Sequence, residues 1–428
     1  MDATPDATAE RTAAAVALAD PRTDSPEAGP AGELPAAEPA QRQPRPVVTE
    51  LRLSAFGPHR SAVFPLGPLT LFAGPSGSGK SQALAAYEAL AGLASGAVLE
   101  EVFPDPRARI PDRAVPDAQR RRGFRLGCTV DGPVGPVRLD LAVQAEPALR
   151  IVGERLSQDG QVLLATALRD PGRSSVQAAW LTGGAIGVTR APLPDDRLGT
   201  ALLPLRVAGS TAGQRQVLAA AEQVVVALRA VFPCDPRPDL MRAAVPPGEG
   251  RLLGDCANLA DVLRRTRSEC GTRHALLAEA ARTGCAGPVA GLDVRAAGGG
   301  PVAAVLDRGP DRPATELARL GAGELRFLAL ALVLLTGPGV LAVDPAAELL
   351  SARQALTVLA DDFDRGLDRR QSAELLRLAV LSCGRGHIRL VAAVGEGTAA
   401  AAPHHPGGAE VVPGAVTRPN PRPRPPPP

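Results

Sequence analysis

The chain has 428 residues, a formal net charge of +2, 45% hydrophobic residues and only 2% aromatic ones. Length allows two or three domains, the scarcity of aromatics excludes single-strand nucleic-acid binding by rows of stacked rings, and the scattered charge excludes one dominant basic face. No run of about 18 apolar residues free of breakers exists to cross a bilayer, and Cys128, Cys234, Cys256, Cys270, Cys285 and Cys383 show no C-x-x-C or metal spacing, so they read as reduced thiols of a soluble, cytoplasmic protein.

In chain order, residues 1–46 are rich in Ala, Pro, Asp and Glu. Their few large apolar side chains cannot offset ordering entropy, which predicts disorder. Residues 47–55 alternate apolar and polar and predict a strand, with 61–66 as its antiparallel partner. Leu69-Thr70-Leu71-Phe72-Ala73 is a short apolar run of strand length. It leads into Gly74-Pro75-Ser76-Gly77-Ser78-Gly79-Lys80-Ser81, and Leu84, Tyr87, Leu90 and Ala94 then recur at helical spacing up to Gly96.

That octet satisfies G-x-x-x-x-G-K-[ST], in which backbone N–H groups wrap phosphates and the Ser or Thr hydroxyl reaches Mg²⁺. Of the 47 basic residues, Lys80 alone is lysine. A slim ammonium fits a phosphate-wrapping turn where a planar guanidinium fork does not. The helix N-terminus adds its dipole to that charge. The sequence therefore predicts a nucleoside triphosphate site at residues 74–81.

Residues 97–118 carry repeated Pro and Arg and predict a loop; Arg120-Arg121-Arg122 follows as an exposed run or, alternatively, a phosphate contact. Strands are expected at 123–130, 137–145, 149–156 and 161–167, and helices at 214–230, from 259, and at 274–282. Short strands at 288–294 and 302–306 precede a helix at 323–335 that is apolar on nearly every face, as in a buried core helix. Gly337-Pro338-Gly339 ends it. Val340-Leu341-Ala342-Val343-Asp344 is read as a buried strand with a carboxylate at its end, where ligands of open α/β sheets lie. Asp344 is thus expected either to hold Mg²⁺ with Ser81 or to cap a following helix. A last strand is expected at 388–394, and the Pro- and Arg-rich residues 400–428 form a solvated tail with polyproline character.

The phosphate-type loop, Gly254-Asp255-Cys256-Ala257-Asn258-Leu259-Ala260-Asp261-Val262-Leu263 and Leu320-Gly321-Ala322-Gly323-Glu324-Leu325-Arg326-Phe327, in this order, resemble bacterial predicted ATPases of the AAA/ABC-like group. These are relatives of RecF, SMC and OLD-type heads, here without long coiled-coil arms. The resemblance spans roughly 47–395 and implies an α/β P-loop NTPase, ABC-ATPase-like, with a mixed sheet. Its domain would cover 47–399, with a nucleotide core at 47–96 and 315–396, an inserted β-rich and helical lobe at 97–314, and disordered termini. It implies ATP and Mg²⁺ as cofactors and an ATP-dependent homodimer, in which Gly321, Ala322 and Gly323 of one protomer face the γ-phosphate held by the other.

The chain also departs from that pattern. Pro345 stands where a water-polarising glutamate is expected, leaving Glu348 as the nearest candidate catalytic acid. Gly321 replaces the signature serine, and Ala393-Val394-Gly395 replaces the expected Thr-His-Ser, with His387 before that strand. Three functions stay open: a slow ATPase, a non-hydrolysing ATP-dependent switch or scaffold, and a DNA-associated repair or defence protein. A protein partner and the adenine contact stay open too, with Phe56 or His59 as candidates for the latter.

Overall fold

A computed structural model describes residues 44–183, 187–296, 300–337, 339–343, 355–386, 388–402 and 410–413. The first hairpin, β1 (Val47–Phe56) and β2 (His59–Pro65), turns at Gly57-Pro58, where Gly57 has φ +55°. The strand β3 (Leu69–Ala73) is buried along its whole length and feeds the glycine loop and helix α1 (Lys80–Ala94). A one-turn helix α2 (Leu99–Val102) opens the connection to β4 (Arg122–Asp131).

The strands β4, β5 (Val137–Glu146), β6 (Arg150–Gln158), β7 (Gln161–Ala167), β8 (Ser175–Leu181) and β9 (Val188–Pro194) form a meander. The meander continues the hairpin: one antiparallel sheet runs β2-β1-β4-β5-β6-β7-β8-β9. Strands expected to belong to an inserted lobe therefore hydrogen-bond directly to the strand that opens the domain, with Leu51 opposite Cys128.

Next come α3 (Gly199–Leu202), α4 (Ala212–Arg229), β10 (Val231–Pro233), α5 (Pro238–Met241), α6 (Leu259–Glu269) and α7 (Gly271–Gly284). The strands β11 (Gly291–Ala296), β12 (Val302–Asp307) and β13 (Thr315–Glu316) make a small sheet before α8 (Ala322–Leu335). The chain closes with β14 (Leu356–Ala360), α9 (Arg369–Gly384), β15 (Ile388–Ala393), α10 (Glu396–Ala400) and β16 (Glu410–Pro413).

A five-stranded sheet ordered β10-β14-β15-β3-β16 is parallel at every described pairing. Parallel strands need both faces covered, and the period of two in the side chains does that here. Phe72, Leu359, Val391 and Ala393 face a core shared with α1, α4 and the antiparallel sheet. Leu69, Leu71, Val358, Leu390 and Ala392 face a second core with α6, α7, α8 and α9. Buried residues run unbroken from Leu325 to Leu334 in α8, in agreement with its all-round apolar pattern. Arg389 ties the two sheets together by donating to the carbonyls of Val48 (3.0 Å) and Leu66 (2.6 Å).

Two expectations are corrected. Residues 340–343 are not a strand of the nucleotide sheet: Leu341 makes only an isolated bridge with Leu252. The position beside β15 belongs to β14, all five of whose residues are buried. The stretch from 400 is also not wholly outside the fold, because Glu410–Pro413 pairs parallel with β3. Among the described residues no helix is long and apolar enough to cross a membrane.

Candidate functional site

The loop between β3 and α1 is held open by backbone geometry that only glycine adopts cheaply. Gly77 and Gly79 have φ +80° and +95°. At Gly79 the space is closed as well: a Cβ would lie 2.4 Å from Nε2 of His59 and 2.7 Å from Cγ of Pro58. At Gly77 nothing lies within 4 Å of that position. Gly79→Ala is therefore expected to destabilise the fold by about 1–3 kcal/mol, and Gly77→Ala by less, as measured by urea midpoints.

His59 comes from the start of β2 and is 2% exposed. Its Nε2 lies 3.0 Å from the Gly79 carbonyl oxygen, which requires the Nε2–H tautomer. Burial holds its pKa below the ordinary imidazole value, against a smaller upward pull from Gly79. The neutral ring thus braces the last turn of the loop. Phe56 is fully buried against Phe124, with ring centroids 5.1 Å apart edge to face. Neither Phe56 nor His59 presents a free face for an adenine ring, which corrects that expectation.

Inside the loop, Nζ of Lys80 donates to the carbonyls of Gly74 (2.8 Å) and Pro75 (3.2 Å). The hydroxyl of Ser78 is buried without a protein partner. On the first turn of α1, the Ser81 hydroxyl donates to Oδ1 of Asp361, 3.0 Å away. Asp361 directly follows β14, so a carboxylate does end a buried parallel strand beside the loop, but 17 positions after the predicted one (361 − 344). The same Oδ1 accepts the backbone N–H of Asp362 at 3.1 Å. Asp362 has φ +48° and an exposed side chain. Asp344, Glu348 and His387 lie outside the described residues.

A cavity of about 1560 Å³ covers the loop. Residues 76–82 form its floor, Pro58 and Arg60 of the hairpin one wall, residues 110–114 another, and Asp362 its edge. A second cavity of about 650 Å³ lies at the N-terminus of α8, lined by Ala322, Gly323, Arg326, Arg365 and Gly366. None of Gly321, Ala322 and Gly323 lines the first cavity. The short stretch 361–366 borders both.

Around α8, Glu324 accepts from the N–H groups of Gly321 (3.0 Å) and Ala286 (2.8 Å). Gly323 is glycine because Gly366 approaches it: a Cβ there would lie 2.3 Å from the Gly366 carbonyl oxygen. At the end of β15, the N–H of Gly395 is accepted by Oδ2 of Asp364 at 3.0 Å. The arginine run is engaged within the chain, Arg121 with Asp117 at 2.8 Å and Arg122 with Glu146 at 2.5 Å.

The sequence reading missed Asp361 and Asp362. Their signal was present as Leu356-Thr357-Val358-Leu359-Ala360 followed by two carboxylates. The apolar run at 340–343, also followed by a carboxylate, carries the same signal.

The strand–glycine loop–helix unit at an inner strand of a parallel sheet, with a carboxylate ending the next strand but one, defines an α/β protein of the P-loop type. No family model and no curated protein matches the sequence. Among solved structures the chain is similar to an SMC head bound to the C-winged helix domain of ScpA, at 13% identity and a TM-score of 0.46, covering 86% of this chain and 97% of that one. It is similar to an SMC head domain from Thermotoga maritima at 14% identity and TM-score 0.38, covering 86% and 98%. A third is an Smc head domain with an extended coiled coil bound to the C-terminal domain of ScpA, derived from Pyrococcus furiosus, at 11% identity and TM-score 0.44, covering 86% and 96%. At these scores the likeness is loose, and the fold stands on the chain's own strand order and loop geometry.

Proposed function

We propose that the chain is an Mg-ATP-binding protein that pairs with a second copy of itself when nucleotide is bound. The observation that carries this reading is the 3.0 Å hydrogen bond between Ser81 and Asp361, set at the end of parallel strands beside the glycine loop. Hydroxyl and carboxylate oxygens are the donors a Mg²⁺ ion takes from a protein when phosphates and water fill its remaining positions. Among the described residues no cluster of three or more His, Cys, Asp or Glu side chains forms an all-protein cage.

In this reading Lys80 leaves the carbonyls of Gly74 and Pro75 for phosphate oxygens, and the loop N–H groups and the buried Ser78 hydroxyl supply further donors. Ser81 and Asp361 would hold Mg²⁺, taking over the role first assigned to Asp344. Bound Mg-ATP supplies a γ-phosphoryl group for transfer to water. Asp362, at the rim of the cavity, is the carboxylate available to accept a proton from that water, the role first given to Glu348.

The separation of the two cavities supports the dimer reading. Gly321, Ala322 and Gly323 offer a helix N-terminus that is absent from the chain's own loop cavity, so a phosphate they touched would be one held by another copy. Six free cysteines support a cytoplasmic location. Light scattering with and without Mg-ATP tests the pairing: a shift from monomer to dimer mass is expected, and a constant monomer mass at saturating nucleotide would sink it.

A further inference from the structure

Arg326 is the one ionised side chain in the buried run of α8 from Leu325 to Leu334, and the residue is 5% exposed. A guanidinium taken that far from water is costly unless it is paired and hydrogen-bonded. Its Nη1 donates to Oδ1 of Asp235 (3.1 Å) and to the carbonyl of Pro236 (2.7 Å), and its Nη2 to the carbonyl of Asp362 (3.1 Å). Its Nε is buried without a partner. One side chain thus straps three segments: the signature-type helix α8, the turn after β10, and the stretch after β14.

The third strap reaches the nucleotide site. Asp362 is fixed on its other side by its own N–H, which donates to Oδ1 of Asp361, the same oxygen that accepts from Ser81. A cation held by Asp361 and Ser81 would compete for that oxygen with the Asp362 amide. The peptide that follows carries the carbonyl held by Arg326. The carbonyl of Gly366, four residues on, lies so close to Gly323 that a Cβ on Gly323 would not fit, so the stretch packs directly against the start of α8.

We infer that Arg326 is a positioning residue that transmits occupancy of the Ser81–Asp361 pair to the N-terminus of α8 and to the 235–242 turn, making the second cavity responsive to nucleotide in the first. This rests on the nucleotide reading above and adds a regulatory link within one copy of the chain. The linkage is reciprocal, so a second copy seated on α8 would in turn tighten the metal site.

Amide hydrogen exchange tests it, with and without Mg-ATP, in the wild type and in Arg326→Lys. A lysine keeps the charge but, as a point donor, does not span the Asp362 and Pro236 carbonyls together. In the wild type, exchange at 235–242 and 321–326 is expected to slow at least about fivefold on adding Mg-ATP, and in Arg326→Lys less than about twofold. Protection at 74–81 should be the same in both. Any protection of α8 left in the lysine variant measures coverage by a second copy, and the difference measures the link.

Equal protection of α8 in both proteins would overturn the inference and leave Arg326 a structural strap. Absence of protection at 74–81 in the wild type would instead overturn the nucleotide reading. Should Arg326→Lys not fold, Asp235→Asn serves, because it removes only a partner whose side chain is 61% exposed. Weakened α8 protection in that variant supports the link, and wild-type protection in it counts against the link.

Discussion

Adding millimolar Mg-ATP is expected to raise the melting temperature of the wild type, and Lys80→Ala is expected to erase that rise. Binding at a hundredfold excess over the dissociation constant stabilises by about 2.7 kcal/mol, which for a domain of this scale corresponds to roughly 3–8 °C. Lys80 is the chain's sole lysine, and its Nζ already sits within the loop on two carbonyls. Alanine removes that charge while leaving the glycines that shape the loop. The variant without nucleotide should therefore melt close to the wild type, since a half-exposed ammonium on two carbonyls contributes little to stability. An unchanged wild-type melting curve at saturating Mg-ATP would refute the nucleotide reading.

The second large effect is expected at the two acids after β14. Asp361→Asn should abolish the dependence of nucleotide binding on Mg²⁺, because the amide keeps the shape of the side chain and loses the charge that attracts the cation. Asp362→Asn should preserve binding and lower phosphate release by about 10²–10⁴-fold, the range for removing a general base. Asp344→Asn and Glu348→Gln are expected to change neither. Steady-state phosphate release and nucleotide titrations with and without Mg²⁺ read these outcomes. A large loss of turnover in Glu348→Gln would return the catalytic role to that residue. Wild-type release equal to a protein-free blank would favour the non-hydrolysing switch.

This pair of acids also alters the balance among the departures from the ABC-like pattern. Taken with Asp344, the chain carries proline at the position of the water-orienting acid; taken with Asp361, it carries an aspartate there. Two departures remain at the residues themselves. Gly321 still lacks a hydroxyl, and Val394 stands where the histidine is expected, followed by Gly395, whose N–H donates to the carboxylate of Asp364. The DNA-associated reading gains nothing from the arginine run, since Arg121 and Arg122 are paired within the chain.

Local signals in the sequence were reliable where one segment decides its own structure. The run Leu69–Ala73, the glycine loop and the start of α1 at Lys80 stand where the sequence placed them. So does α8, within one residue, because a helix buried on all sides has an apolar pattern that no exposed element shares. The hairpin β1–β2 was legible from its alternation, and β7 matches its expected limits. The strands β8 and β9 went unread, although Val176, Ala178 and Trp180 of β8 do alternate with half-buried residues.

What the sequence determined by itself is the glycine loop and its lysine, since the backbone angles and the charge needed there are properties of the residues in one octet. Which carboxylate stands beside Ser81 was decided only in three dimensions. Two apolar runs ending in aspartate, at 340–344 and 356–361, are equivalent as strings. Their difference is a matter of partners: Leu356–Ala360 finds hydrogen bonds on both sides, to β10 and β15, and burial on both faces, whereas Leu341 finds only Leu252. A parallel strand is selected by neighbours far away in the chain, and the same long-range packing gave Arg326 its three acceptors.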